Sequence, residues 1–210
     1  MKKLLVLGAF ALFGAMNAQT EKGSWVVGGS TTLGFNSANT KYKNDNNSVD
    51  GPKVSTFNVT PSVGYFVIDK LAIGLDLGYT SLTTKVENEF MGTNYSSKNT
   101  ISTFSILPTA TYYFKSDSKV LPYLGVGAGY STSKDKFTQS GSGSNNYEDT
   151  LNGFAWKGKG GIVFLVTPSI GLDLGVSYMG TNQKYDNDNS DVKVQTNTFG
   201  VNAGISVFLK

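Results

Sequence analysis

Along most of this chain apolar residues recur at every second position, with small or polar residues between them. That period sends successive side chains to opposite faces of an extended strand. The hexapeptide Ile-Gly-Leu-Asp-Leu-Gly, at 73–78 and again at 170–175, shows it most plainly. Leu71, Ile73, Leu75, Leu77 and Tyr79 share one face; Ala72, Gly74, Asp76 and Gly78 share the other. Read this way, the pattern predicts eight strands, over 24–35, 54–67, 71–82, 100–114, 121–133, 151–165, 170–181 and 194–208. Connections after the second, fourth and sixth strands are short, at 68–70, 115–120 and 166–169. The other connections are long and rich in Asn, Asp, Ser, Gly and Lys, and are expected to be mobile loops.

A hairpin repeats at a spacing of about fifty residues, as an up-and-down meander would produce. Phe57-Asn58-Val59-Thr60-Pro61 matches Phe104-Ser105-Ile106-Leu107-Pro108, and Ile73–Tyr79 matches Leu124–Tyr130 and Ile170–Gly175. Pro61 and Pro108 fall in mid-strand, where a missing N–H costs a ladder hydrogen bond, so a bulge or bend is expected at both.

Which face is wet decides the class of protein. The face opposite the aliphatic one is crowded with glycine, as at Gly125, Gly127 and Gly129. Solvated strands have little use for Gly, whereas a narrow closed barrel leaves an interior only wide enough for side chains to fill. Aromatics sort toward the two ends of the strands: Trp25, Tyr65, Tyr112 and Phe164 toward the short turns, Tyr79, Tyr130, Phe154, Trp156 and Tyr178 toward the long loops. Phe66 and Tyr113 are read into the short-turn set as well. Two rings of aromatics around an aliphatic middle are what bilayer interfaces select.

Composition narrows the reading. Met1-Lys2-Lys3 followed by the apolar run Leu4 to Ala15 reads as a signal peptide over 1–18, removed to leave one domain, 19–210. Without Lys2 and Lys3 the 18 basic residues become 16 against 15 acidic, a net charge near zero. No Arg is present, which argues against nucleic acid as a partner, and no Cys, which removes disulfides and thiolate sites. The absence of His removes the usual neutral-pH general base, so no enzymatic activity and no cofactor are expected. The negative mean hydropathy fits a barrel, in which only alternate strand residues meet lipid. Asp186-Asn187-Asp188-Asn189-Ser190-Asp191 lacks the Gly and Glu of a calcium loop and reads as a solvated loop. Gly141-Ser142-Gly143-Ser144 reads as a loop tip.

With these features the mature chain resembles the small eight-stranded outer-membrane barrels of the OmpA/OmpX type, without a peptidoglycan-binding domain. The resemblance implies an all-β, antiparallel, up-and-down transmembrane barrel in a bacterial outer membrane. It also implies outer-membrane lipid and lipopolysaccharide as surroundings, folding by the barrel assembly machinery, and a monomer. The chain departs from such barrels at its end, where Phe208 falls on the opposite parity to Leu209.

Four charged residues, Asp76, Lys157, Lys159 and Asp173, fall on the inner face. Opposite charges in a confined interior should pair, and plausible registers bring Lys159 to Asp173, leaving Asp76 with no equally obvious partner. Paired, the four plug the lumen and the protein acts structurally or through its surface loops. Unpaired, they line a narrow diffusion pore. A soluble, lipocalin-like ligand-binding barrel is a third reading, and it requires the aliphatic face to point inward.

Overall fold

A computed structural model describes residues 18–32, 36–44, 47–90, 93–114, 119–140, 145–186 and 193–210. The expected leader up to Asn17, the Gly141–Ser144 tip and residues 187–191 of the acidic run lie outside the described residues. The chain forms β1 (Trp25–Thr32), β2 (Asn36–Asn44), β3 (Asn47–Ile68), β4 (Leu71–Phe90), β5 (Thr93–Tyr113), β6 (Val120–Ser140), β7 (Asn146–Leu165), β8 (Ile170–Tyr185) and β9 (Lys193–Leu209). Every neighbouring pair is antiparallel. Trp25 of β1 lies between Leu209 of β9 and Tyr65 of β3, which closes the ring. β2 then continues along the upper part of β3, from Asn36 opposite Thr56, so β1 and β2 together supply one wall of an eight-stranded barrel.

The strands run well past the expected boundaries. β4 and β5 pair without a break from Leu71 opposite Tyr112 up to Phe90 opposite Thr93, through the segment expected to be a loop. The polar composition of 83–99 misled because Thr, Val and Tyr within it favour strands, and a strand already paired below can extend its ladder whatever the polarity above. A membrane needs only about ten residues of each strand. β4 has 20 and β5 has 21, so paired hairpins, not loops, rise beyond the bilayer.

Neither mid-strand proline makes a bulge. Ladder pairing between β3 and β4 lapses at Thr60 and Pro61, then resumes in the same register from Val59 opposite Tyr79 to Ser62 opposite Asp76. The β5–β6 ladder treats Leu107 and Pro108 identically, between Ile106 opposite Tyr130 and Thr109 opposite Gly127. One strand residue donates its N–H to one neighbour only, so each proline costs one bond on one side while the flanking pairs hold the register. Register does shift between β2 and β3, where Asn39 faces Lys53 but Lys41 faces Asp50, leaving Gly51 and Pro52 against the single residue Thr40.

The aliphatic face points outward. Val126 is 65% exposed and Leu124 59%, whereas Ala155 and Val163 are fully buried. This orientation contradicts the lipocalin-like reading. All nine girdle aromatics, Trp25, Tyr65, Tyr79, Tyr112, Tyr130, Phe154, Trp156, Phe164 and Tyr178, lie on this outer surface. Trp25 packs on Tyr65 and Trp156 on Tyr178, with ring centroids 5.0 and 5.5 Å apart.

Phe66 and Tyr113 are different: they point into the barrel, because Tyr65 and Tyr112 beside them point out. With Tyr123, Leu121, Val163, Leu165 and Phe208 they form an apolar cluster in the interior, at the short-turn end. Tyr113 lies 5.5 Å from Phe66 and 5.8 Å from Phe208 between ring centroids. Residues 18–24 cross that end, with Gly23 N–H donating to Phe66 C=O and Lys70 N–H to Thr20 C=O.

Candidate functional site in the lumen

Above the aromatic cluster the interior becomes charged. Asp76 stands on the inner face of β4, where the alternation that sends Leu75 and Leu77 outward obliges it to point in. Lys157 and Lys159 enter from β7, across the lumen. Lys159 Nζ donates to both carboxylate oxygens of Asp76 at 3.1 Å, and Lys157 Nζ lies 3.4 Å from Oδ2. Asp76 is 2% exposed. The carboxylate is therefore bridged by two ammonium groups, and both lysine side chains are largely buried.

Asp173, the expected partner of Lys159, has none of these contacts. It stands on β8 and accepts a hydrogen bond of 2.8 Å from the Tyr123 hydroxyl, with the Ser206 hydroxyl at 3.5 Å. The expected pairing is thus reversed: Asp76 takes both lysines, and Asp173 forms no ion pair among the described residues. The register keeps Lys159 and Asp173 apart in the wall: Asp173 faces Val163 and Lys159 faces Ser177, four residues or about 13 Å along the strand. Lys159 reaches across the narrow lumen to Asp76 instead, and the half-buried carboxylate of Asp173 is satisfied by hydroxyls. The role of Tyr123 has a sequence signal: it occupies an inward position one residue before the outward Leu124.

Glycines make room for these reaches. A Cβ on Gly125 would sit 2.8 Å from Thr111 Oγ1 and 2.9 Å from Lys159 Cε, so the lysine stem passes where a side chain would otherwise stand. A Cβ on Gly175 would meet the Tyr123 hydroxyl at 2.6 Å. At Gly125 and Gly175 the missing side chain is therefore the clearance for long polar side chains that cross the lumen, whereas at Gly74 and Gly129 a Cβ would meet the backbone of the neighbouring strand.

Two cavities of about 60 Å³ flank the charged layer. One reaches toward the short turns, past Thr109, Thr111, Tyr113 and Tyr123; the other reaches toward the hairpins, past Asn58, Thr80, Thr103 and Met179. Asp76 and Lys157 line both. Above the upper cavity, inward hydroxyls and amides join across the walls. Gln183 Nε2 donates to Ser131 Oγ at 2.7 Å and Gln183 Oε1 accepts from Ser133 Oγ at 3.0 Å. Asn58 donates to Thr80 Oγ1 at 2.6 Å.

The sequence profile described as "Outer membrane protein beta-barrel domain" matches residues 4–206. No curated protein matches the chain by sequence. Among solved structures, Neisserial surface protein A is similar at 19% identity and a TM-score of 0.44, covering 89% of this chain and 97% of its own. OprG from Pseudomonas aeruginosa is similar at 16% identity and a TM-score of 0.45, covering 90% and 97%. Ail of Yersinia pestis is similar at 16% identity and a TM-score of 0.38, covering 90% and 99%. With a closed ring of eight antiparallel walls, an aliphatic outer face and a family profile spanning nearly its whole length, this chain belongs to the outer-membrane β-barrel proteins of bacteria.

Proposed function

We propose that this protein is a barrel with a side-chain-filled lumen, whose working surface is the set of paired hairpins beyond the membrane. The observation that carries the reading is Asp76, buried and bridged by Lys157 and Lys159 between two separate cavities. Each cavity has room for a few waters, and the four charges of this layer sum to zero, so the layer does not favour a standing column of ions of one sign. The Phe66–Tyr113–Phe208 cluster adds a second, apolar obstruction at the short-turn end. On this view the barrel is a rigid pedestal, and recognition belongs to the exposed hairpin surfaces.

A narrow diffusion pore is the competing reading. It draws on the 3.4 Å separation of Lys157 from Asp76 and on the cavities either side, since breaking one ion pair would join them. Planar-bilayer recording of purified protein decides between the two. A filled lumen gives a silent baseline; reproducible single-channel steps of the wild type would overturn it.

A further inference from the structure

The segment that precedes β1 docks across the short-turn end of the barrel. Ala18–Thr20 form a short 3-10 helix, and the backbone beyond it is tied down at three points. Lys70 N–H donates to Thr20 C=O at 2.6 Å, Gly23 N–H to Phe66 C=O at 2.9 Å, and Phe66 N–H to Ser24 C=O at 2.9 Å. Gln19 is only 7% exposed there. Yet neither Oε1 nor Nε2 of its side chain has a hydrogen-bond partner among the described residues, where no other buried side chain is left so. A buried primary amide without partners is costly, and such a group calls for a cause.

Its place in the chain provides one. A leader spanning 1–18 puts the cut bond between Ala18 and Gln19, so that Gln19 becomes the first residue of the mature protein. While joined to Ala18 its nitrogen is a peptide amide and unreactive. Once released it is an amine that loses its extra proton at about pH 8, within ring-closing reach of its own side-chain carbonyl. An ammonium kept at this position would join a rim where cations already prevail. Lys22, Lys70, Lys119 and Lys210 stand there against Glu21 and Asp69 among the described residues. Both acids are engaged: Lys210 Nζ lies 3.1 Å from Glu21, and Asp69 accepts the Lys22 N–H at 2.8 Å.

We propose that Gln19 is a modification site: after removal of the leader it cyclises to pyroglutamate, and the resulting lactam caps the short-turn end of the barrel. The proposal rests on the leader reading and not on the state of the lumen. The ring closes while the terminus is still free. The α-amine nitrogen attacks Cδ, the new C–N bond forms, the Cδ–Nε2 bond breaks, and Nε2 leaves as ammonia with a proton from the amine. Nothing is oxidised or reduced, and no co-reactant enters. The step removes the partnerless NH2 group and the terminal charge together, leaving one N–H and one carbonyl on a compact neutral ring. Such a ring suits a buried position better than an ammonium and a primary amide do. It also leaves no free terminus for an aminopeptidase to start from, so the segment over Phe66 and Phe208 stays whole.

The test extracts the barrel from the membranes of the cells that make it and acylates its free amines at once in denaturant, which blocks any later cyclisation. Chymotrypsin then releases the N-terminal peptide ending at Trp25 for mass spectrometry. The expected peptide starts at residue 19, is lighter than the unmodified sequence by one ammonia, and carries no acyl group on its α-nitrogen. A Gln19→Ala variant should be cut at the same bond and carry the acyl group, which shows that the label reports a free terminus. The wild-type mass decides the matter even if that variant fails to assemble. A peptide of full mass acylated on Gln19 would overturn the modification and leave the leader reading standing. A mature chain that begins at any other residue would overturn both.

Discussion

One carboxylate stands between two lysines at two places in this barrel. Asp76 is bridged by Lys157 and Lys159 inside the lumen; Glu87 is bridged by Lys53 and Lys85 on the outer face of the hairpins. The outer contacts are shorter, 2.7 Å from Lys53 to Glu87 against 3.1 and 3.4 Å inside, yet they are expected to matter less to stability. Water screens the outer site, where the Glu87 side chain is 40% exposed, while at the inner site the Asp76 side chain is 3% exposed. Distance alone therefore ranks the two sites in the wrong order, because desolvation sets what a lost partner costs.

The largest effect separating the sites is expected from Asp76→Ala. It leaves two lysines in a closed lumen with no carboxylate, and should destabilise the folded barrel by about 3–5 kcal/mol, read from the urea midpoint in detergent micelles. A shift no larger than that of Glu87→Gln would erase the distinction between the sites.

A smaller net effect is expected when the whole inner site is made apolar. Asp76→Leu with Lys157→Met and Lys159→Met should recover most of the loss and lie within roughly 1–2 kcal/mol of the wild type, since the penalty belongs to the unpaired charge. A triple variant as unstable as Asp76→Ala would show that the layer's packing, not its charge balance, is what Asp76 supplies.

At the outer site, Glu87→Gln should leave the urea midpoint unmoved at ordinary salt. Its signature is titration instead: the hydrogen bond from Lys53, then that from Lys85, hold the Glu87 carboxyl down from 4.5 to about 2. Because the folded value is depressed, whatever the site contributes is present above about pH 4.5 and is lost as pH falls toward 2. Carboxyl-carbon NMR of the folded protein should give a midpoint near 2, and a midpoint at 4.5 would mean that the bridges are absent in solution.

Much of the wall was legible in the chain. Period-two alternation identifies Leu124, Val126 and Leu172 as one face and Gly125, Gly127 and Asp173 as the other, and burial divides them the same way. Strand ends were not legible, because Thr83, Thr84 and Lys85 and their partners Thr100, Asn99 and Lys98 are polar yet paired. Phe66, Tyr113 and Phe208 were countable as aromatics, but composition does not distinguish a ring that faces lipid from one that faces the lumen; only strict parity does.

Local sequence determined which way each side chain points, since that follows from the pleat of a single strand. Only the closed barrel decided which inward side chains meet. Lys159 and Asp173 stand on adjacent strands but four residues out of register, and Lys159 bonds Asp76 on β4 because ring closure brings that strand within a lysine's reach across the lumen. Contacts between residues 83 positions apart depend on strand number, register and the diameter they impose, and no local pattern in the chain encodes those.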